Sequence, residues 1–328
     1  MNLPQFVQIE PVGQCNLKCR MCPVVYRDAK PPAFLNYEDY CRLLDQFHGV
    51  KELHLQGLGE PLLHPRFFDM VRYAAGRGIE VSTNTNLTAL SSRRAEECVT
   101  SGLRRMHVSL DSAEARSYEY IRVGARFDKV LRNLRWLTDA KRRLASASPE
   151  IALVAVAMRR NLDSLAGLVR LAHEHGVKSV SVQHLAHDFT DSSLPVRYRP
   201  MREFVERETL AHDDPARVQA AFDEARAVAA ALGVELRLPN LAAPHRVEGL
   251  RGRSRCDWPW RGAYVAYSGE AMPCCMVATP DRANLGSMTE RGVANTWNGA
   301  AYQDFRARLE SDDPPDVCKG CAIYHGRF

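Results

Sequence analysis

Several things are missing from this 328-residue sequence, and each absence removes a class of protein. No apolar run approaches the roughly 20 residues that a membrane helix needs, so a membrane-spanning reading is excluded at the outset. The first ten residues, Met1 to Glu10, have no basic flank, no sustained apolar region and no small-residue cleavage site, which argues against a secretory signal and for a reducing cytoplasmic setting. Blocks of like charge are absent too. The formal charge of +5 is spread over many arginines, which leaves no stripe for nucleic acid but a mildly basic surface suited to an anionic substrate. With 45% hydrophobic and 25% charged residues there is neither the bias of a disordered tail nor that of a fibre.

What is present is alternation. Short β-branched runs at Phe6–Glu10, Glu52–Gln56, Glu80–Thr83, Met106–Leu110, Ile151–Val156 and Ser179–His184 read as strands. Between them lie helical stretches, Pro65 to Arg77, Ser92 to Ser101, Phe127 to Leu144 and Asp163 to His175, punctuated by Gly78, Gly102 and Gly176. Six βα units predict an α/β fold, a parallel sheet curled into a partial (β/α)6 barrel of the TIM type, with function at the C-terminal ends of the strands. We expect the barrel over residues 1–190, a helical bridge over 191–254 with a helix from Pro215 to Leu232, and a small cysteine-rich unit over 255–328. That last unit is too small to build much core, so metal staples are expected there.

Ten cysteines in a reducing compartment point to metal or catalytic work rather than disulfides. Cys15-Asn16-Leu17-Lys18-Cys19-Arg20-Met21-Cys22 offers three thiolates in one loop after the first strand. A four-iron cube held by three thiolates keeps one iron open to a reactant, and the spacing fits paired zinc knuckles poorly. This C-x-x-x-C-x-x-C loop resembles that of the radical S-adenosylmethionine (radical SAM) superfamily.

That resemblance implies a set of cofactor contacts. Met21 stands where most members carry an aromatic beside the adenine. Gln56-Gly57-Leu58-Gly59-Glu60-Pro61 is similar to the family's glycine–glutamate motif, so that Gly59 lets the cofactor approach and Glu60 accepts from its ammonium group; alternatively Glu60 caps the helix near Pro65. Asn84 and Ser109, at the ends of strands three and four, match ribose-contact positions, with helix capping as the alternative and as the sole role for Asn86. Arg122 in Tyr120-Ile121-Arg122-Val123-Gly124 matches an arginine that pairs with the cofactor carboxylate.

Cys256, Cys274 after Gly269, and the pair Cys318 and Cys321 form a second set, with Ala263 to Pro273 reading as a hairpin that brings Cys256 and Cys274 together. It resembles the SPASM/twitch appendage of the same superfamily, in the shorter twitch form with one auxiliary [4Fe–4S] cluster. Cys275 is a third thiol there, a substitute ligand, a hydrogen donor to a product radical or a buried residue; Cys41 and Cys98 read as structural. The resemblance implies a [4Fe–4S] cluster, S-adenosylmethionine, a second [4Fe–4S] cluster and an electron donor of the flavodoxin or ferredoxin kind.

Only 14 residues precede Cys15, and with an abbreviated auxiliary unit this favours a small-molecule substrate over a peptide. The expected activity is that of a lyase or oxidoreductase in antibiotic biosynthesis: decarboxylation of a uronic-acid nucleoside, or dehydrogenation or epimerisation of an aminocyclitol. Arg159, Gln183 and His184, near the ends of strands five and six, are candidates for substrate contact. The alternatives are a peptide or protein maturase and, in another class, a zinc-stabilised nucleic-acid-binding protein.

Overall fold

The computed structural model describes residues 2–26, 33–185, 195–240, 256–321, 323 and 324. Its centre is one sheet of nine strands: β1 Phe6–Ile9, β2 Glu52–Leu55, β3 Glu80–Thr85, β4 Leu103–Ser109, β5 Glu150–Ala157, β6 Ser179–His184, β7 Glu235–Arg237, β8 Gly262–Val265 and β9 Ala271–Met272. The spatial order is β9-β8-β1-β2-β3-β4-β5-β6-β7. Every pairing is parallel except β8 with β9. The six expected strands form the continuous middle, and three more extend the sheet at its two edges.

The helices form where local chemistry starts and stops them. The Asn36 side chain accepts from the amides of Glu38 and Asp39 to open α1, Tyr37–Gln46; α2 is Phe67–Ala75; and Ser91 accepts from Arg94 N to open α3, Ser92–Thr100. After the short α4, Ala115–Ile121, comes α5, Phe127–Arg143, which buries Val130, Leu134 and Leu137 at helical spacing and ends in Lys141, Arg142 and Arg143, where the helix dipole favours cations. α6 is Leu165–Glu174 and α7 is Arg199–Glu208; α8, Pro215–Leu232, has Asp214 as its cap and proline in its first turn. α8 packs on α6 and delivers the chain to β7 beside β6. Both boundaries expected for the bridge, 190/191 and 254/255, lie outside the described residues.

Along the central strands the two faces differ. Val81, Thr83 and Thr85 of β3 are buried on the helix side, whereas Ser82 and Asn84 point the other way. The same alternation puts His107 on β4 and Ser181 and Gln183 on β6 against the concave side, where with Asn84 they line a cavity of about 450 Å³. The concave side is thus a polar lumen inside an apolar shell, and its lining runs from the strand starts at Glu150, Ser179 and Glu235 up to Gln183.

The expected hairpin is present. Tyr264 pairs with Met272 and Val265 with Ala271, while β8 runs parallel to β1 with Ile9 opposite Val265. The cysteine-rich unit is thus fastened to the first barrel strand by a ladder of backbone bonds. Among the described residues no helix is long and apolar enough to cross a membrane.

Candidate active site

The three early cysteines leave β1 in a loop that is held on two sides. Lys18 and Cys19 pair antiparallel with Val123 and Arg122 at the end of α4, and Arg20 N donates to Ile121 O at 3.1 Å. On the other side Asn16 Nδ2 donates to Thr88 Oγ1 at 2.7 Å, and Asn86 Nδ2 donates to Asn16 Oδ1 at 3.1 Å and to Cys15 Sγ at 3.6 Å. Leu17 N also donates to Cys15 Sγ, at 3.4 Å, and a guanidinium nitrogen of Arg122 reaches Cys19 Sγ at 4.0 Å.

These contacts are what thiolate sulfur accepts: amide N–H groups and a cation. Without a metal's charge, burial pushes Cys15 up to about 11 and Cys22 up to about 12, and raises Cys19. Among the described residues no three His, Cys, Asp or Glu side chains gather closely enough to hold a single ion. A cube takes one thiolate per corner iron and does not need that convergence, so the donor set fits an iron–sulfur cluster ligated by Cys15, Cys19 and Cys22.

The neighbouring cofactor candidates lie in the segments that follow or end the first strands, and two of them have partners within the chain. Glu60 is 2% exposed, and its carboxylate already accepts from Leu62 N at 3.1 Å, Thr85 Oγ1 at 2.6 Å and Asn86 N at 2.8 Å. It caps the short helical turn Pro61–Leu63 and ties the end of β2 to the end of β3. Burial raises its pKa, and the same three bonds and Arg122 oppose the rise. Glu60 therefore fixes Asn86, which in turn donates to Cys15.

Arg122 is likewise held from within the chain. Its Nε lies 2.7 Å from Asp111 Oδ2, with the two side chains 11% and 0% exposed. Asp111 follows β4, and its other oxygen accepts from Val156 N at 2.9 Å. The guanidinium thus has an internal carboxylate as a partner through Nε. Sequence alone identified Arg122 but not Asp111, because the pairing exists only once the ends of β4 and α4 meet.

Gly59 is required by the packing of the chain itself. A Cβ there would stand 2.0 Å from the carbonyl oxygen of Val12 and 2.7 Å from that of Gln14, so the glycine admits the protein's own cluster loop. Met21 packs against the buried cluster that includes Ile121 and Met158, as do Leu58 and Val156. Asn84 accepts from His107 Nδ1 at 2.8 Å and lines the lumen, and Ser109 closes β4 half-buried.

Deeper in the lumen, His54 contacts Ser82 Oγ through Nδ1 at 2.8 Å and Gln56 Oε1 through Nε2 at 3.1 Å, while Gln8 donates to the same oxygen at 3.0 Å. Burial, with His107 nearby, lowers His54 to about 4, which keeps the ring neutral. None of Gln8, His54 and His107 was singled out from sequence. The signal was there: polar residues at every second position of strands whose intervening residues are apolar.

Two of the three substrate candidates lie elsewhere. Arg159 donates to Thr209 O at 3.3 Å and His212 O at 2.6 Å, clamping the turn between α7 and α8. His184 Nε2 meets Asn240 O at 2.9 Å, beyond β7. Residues of opposite parity face opposite sides of a strand, and it is Gln183 that faces the lumen.

In the C-terminal unit Cys256 precedes the short helix Trp258–Arg261, Cys274 follows β9, and Cys318 and Cys321 flank the end of Asp316–Lys319, with Cys321 N donating to Cys318 O at 3.1 Å. Cys274 is pushed well above the ordinary thiol value by burial and then by Cys275, Cys256 and Cys321. The fold thus brings three of the four expected ligands into electrostatic range, while Val317, next to Cys318, packs on the cluster that contains Cys274. Cys275 shares that cluster and opens the turn Cys275–Val277.

A parallel barrel with a thiolate loop at its mouth and a second thiol set on the adjoining hairpin defines an iron–sulfur radical-enzyme scaffold. Two family models match the chain, the radical SAM superfamily over residues 9–148 and the SPASM iron–sulfur cluster-binding domain over residues 256–322. The chain carries a radical SAM domain and a SPASM domain, which together imply a [4Fe–4S] cluster, S-adenosylmethionine and auxiliary iron–sulfur ligation.

Among proteins it is similar to are a tungsten-containing aldehyde ferredoxin oxidoreductase cofactor-modifying protein of Pyrococcus furiosus, 23% identical over 97% of this chain and 87% of that one, and a PqqA peptide cyclase of Xanthomonas campestris pv. campestris, 25% identical over 97% of this chain and 79% of that one. Among solved structures, Streptococcus suis SuiB bound to precursor peptide SuiA has a TM-score of 0.71 at 15% identity, covering 99% of this chain and 71% of that one. BtrN in complex with AdoMet and 2-DOIA has a TM-score of 0.52 at 16% identity, covering 99% and 97%. At these identities the two structures bear on the fold alone.

Proposed function

We propose that this chain modifies a peptide, abstracting a hydrogen atom from a side chain held in the barrel lumen. The observation that carries the reading is the end-to-end similarity, through barrel and C-terminal unit alike, to a relative named a peptide cyclase. The bound cluster and S-adenosylmethionine together supply a one-electron reductive cleavage that yields methionine and a 5′-deoxyadenosyl radical.

The chain's own residues do the rest. Cys15, Cys19 and Cys22 hold the cluster, and Asn86, positioned by Glu60, donates to the Cys15 sulfur. The cavity of about 450 Å³ has room for one or two side chains, so a peptide would present a side chain to Asn84, His107, Ser181 and Gln183 and leave its backbone at the mouth. Such residues orient the reacting C–H bond, which is the protein's main contribution in cofactor chemistry. Cys256, Cys274, Cys318 and Cys321 hold the auxiliary cluster, and a flavodoxin or ferredoxin delivers the electron.

A small-molecule substrate, an aminocyclitol or a sugar nucleoside, is the second reading, compatible with a fold shared with BtrN, which was solved in complex with AdoMet and 2-DOIA. It extends to an oxidoreductase or lyase in antibiotic biosynthesis. The deciding experiment incubates the anaerobically reconstituted, reduced protein with a panel of synthetic peptides and, separately, with sugar nucleosides and aminocyclitols. Substrate-dependent deoxyadenosine with a mass change in a peptide supports the proposal. The same dependence on a sugar or cyclitol alone overturns it.

A further inference from the structure

We propose that Glu10 is a positioning residue that sets the placement of the auxiliary-cluster hairpin against the radical-generating loop. Glu10 is the first residue after β1, five before Cys15, and its side chain is completely buried. Oε1 accepts from Leu58 N at 2.9 Å, in the glycine-rich segment after β2. Oε2 faces Tyr267 N at 3.4 Å, in the turn between β8 and β9. Its own backbone N donates to Val265 O at 2.8 Å. One carboxylate thereby joins three segments: the strand that leads into the first cysteine loop, the motif beside it, and the hairpin that ends in Cys274.

The packing is built around this carboxylate. A Cβ on Gly57 would lie 2.3 Å from Glu10 Cγ, so only glycine lets the second segment close on it. The Tyr267 ring occupies the space beside Gly13, where a Cβ would come within 2.1 Å. A buried carboxylate is costly unless its oxygens are used. Here they are used on two backbone amides belonging to the two halves of the cofactor machinery.

The role needs two acceptors, which separates a strut from a buried filler. Glu10→Gln keeps size and shape but has one acceptor, and whichever way its amide turns, one of the two backbone N–H groups faces an NH2. The inference rests on the radical SAM and SPASM domains and not on the nature of the substrate. Its test needs no substrate.

In hydrogen exchange on metal-free Glu10→Gln, the amide of Tyr267 or of Leu58 should exchange roughly tenfold faster or more, the equivalent of one hydrogen bond to a charged group. In the dithionite-reduced holoprotein at unchanged iron content, the microwave-power saturation of the first cluster's electron paramagnetic resonance signal should shift, because its distance to the auxiliary cluster changes. Unchanged saturation in Glu10→Gln overturns the proposal, whatever happens to exchange or stability. If that variant fails to take up iron, Gly13→Ala, which drives a Cβ into the Tyr267 ring without touching Glu10, should shift the saturation in its place. A normal spectrum from Gly13→Ala then overturns the proposal.

Discussion

Replacing Asp111 with Asn tests the internal charge pair directly. The Asp111–Arg122 pair is 2.7 Å apart with one partner at 0% and the other at 11% exposure, so neither charge is relieved by water. Removing one member of a buried pair costs about 3–5 kcal/mol, because the other is left desolvated and alone. Asn keeps an oxygen for Val156 N, so we expect the lower end, about 3 kcal/mol. With a urea slope of about 3 kcal/mol per molar, the metal-free protein under reducing conditions should lose about 1 M in its unfolding midpoint. The exposed pair Arg217–Asp163, at 40% and 77% exposure, supplies the control, since Asp163→Asn should cost about 1 kcal/mol or less. A double replacement of Asp111 by Leu and Arg122 by Met should recover most of the loss, as buried pairs exchanged for apolar residues commonly do. If Asp111→Asn changed stability by no more than Asp163→Asn, the assignment of Arg122 to Asp111 would be refuted.

Other substitutions probe the remaining contacts. His54, held down to about 4 by burial, stays neutral in the fold while the unfolded chain takes up a proton near 6.5, so native stability falls as pH drops through that window. Its share is at most about 1.4 kcal/mol per pH unit; His54→Gln should flatten the pH dependence of the urea midpoint between about 4 and 6.5, and an unchanged slope would count against a neutral buried ring. Gly59→Ala forces a Cβ onto the Val12 carbonyl and should cost about 1–3 kcal/mol by urea denaturation, together with a loss of deoxyadenosine formation. Arg159→Ala should leave the rate of S-adenosylmethionine cleavage within about twofold of the parent, because its bonds go to Thr209 and His212; a loss of a hundredfold would place it back in the site.

What could be read from the sequence was what is local. The cysteine loop is legible because three ligands fall within eight residues, and α8 because Pro215 opens it and Gly233 ends it in a left-handed turn. Strand β7 was missed because three residues, two of them charged, carry no period. α7 was missed because Pro200 reads as a break, although in the first turn of a helix proline lacks only an N–H that has no partner there.

At the site, residue types were visible but partners were not. Glu60 could be singled out, yet only the meeting of β2 and β3 commits its oxygens to Leu62, Thr85 and Asn86. Glu10 gave no signal at all, since its value lies in contacts with residues 48 and 257 positions away. The nature of the substrate was the least legible feature: the motifs name the cofactor and not its target, and the relatives that span nearly all of this chain include a peptide cyclase.

The central claim is that the thiolates of Cys15, Cys19 and Cys22 hold the cluster at which S-adenosylmethionine is cleaved. The most direct measurement compares deoxyadenosine formation by anaerobically reconstituted, dithionite-reduced protein with that of the triple Cys→Ser variant at those positions. The parent should form deoxyadenosine and methionine, and the variant should form neither while keeping the iron bound by its C-terminal cysteines. Cleavage that persists in the variant, or a parent that binds zinc and no iron, would contradict the account.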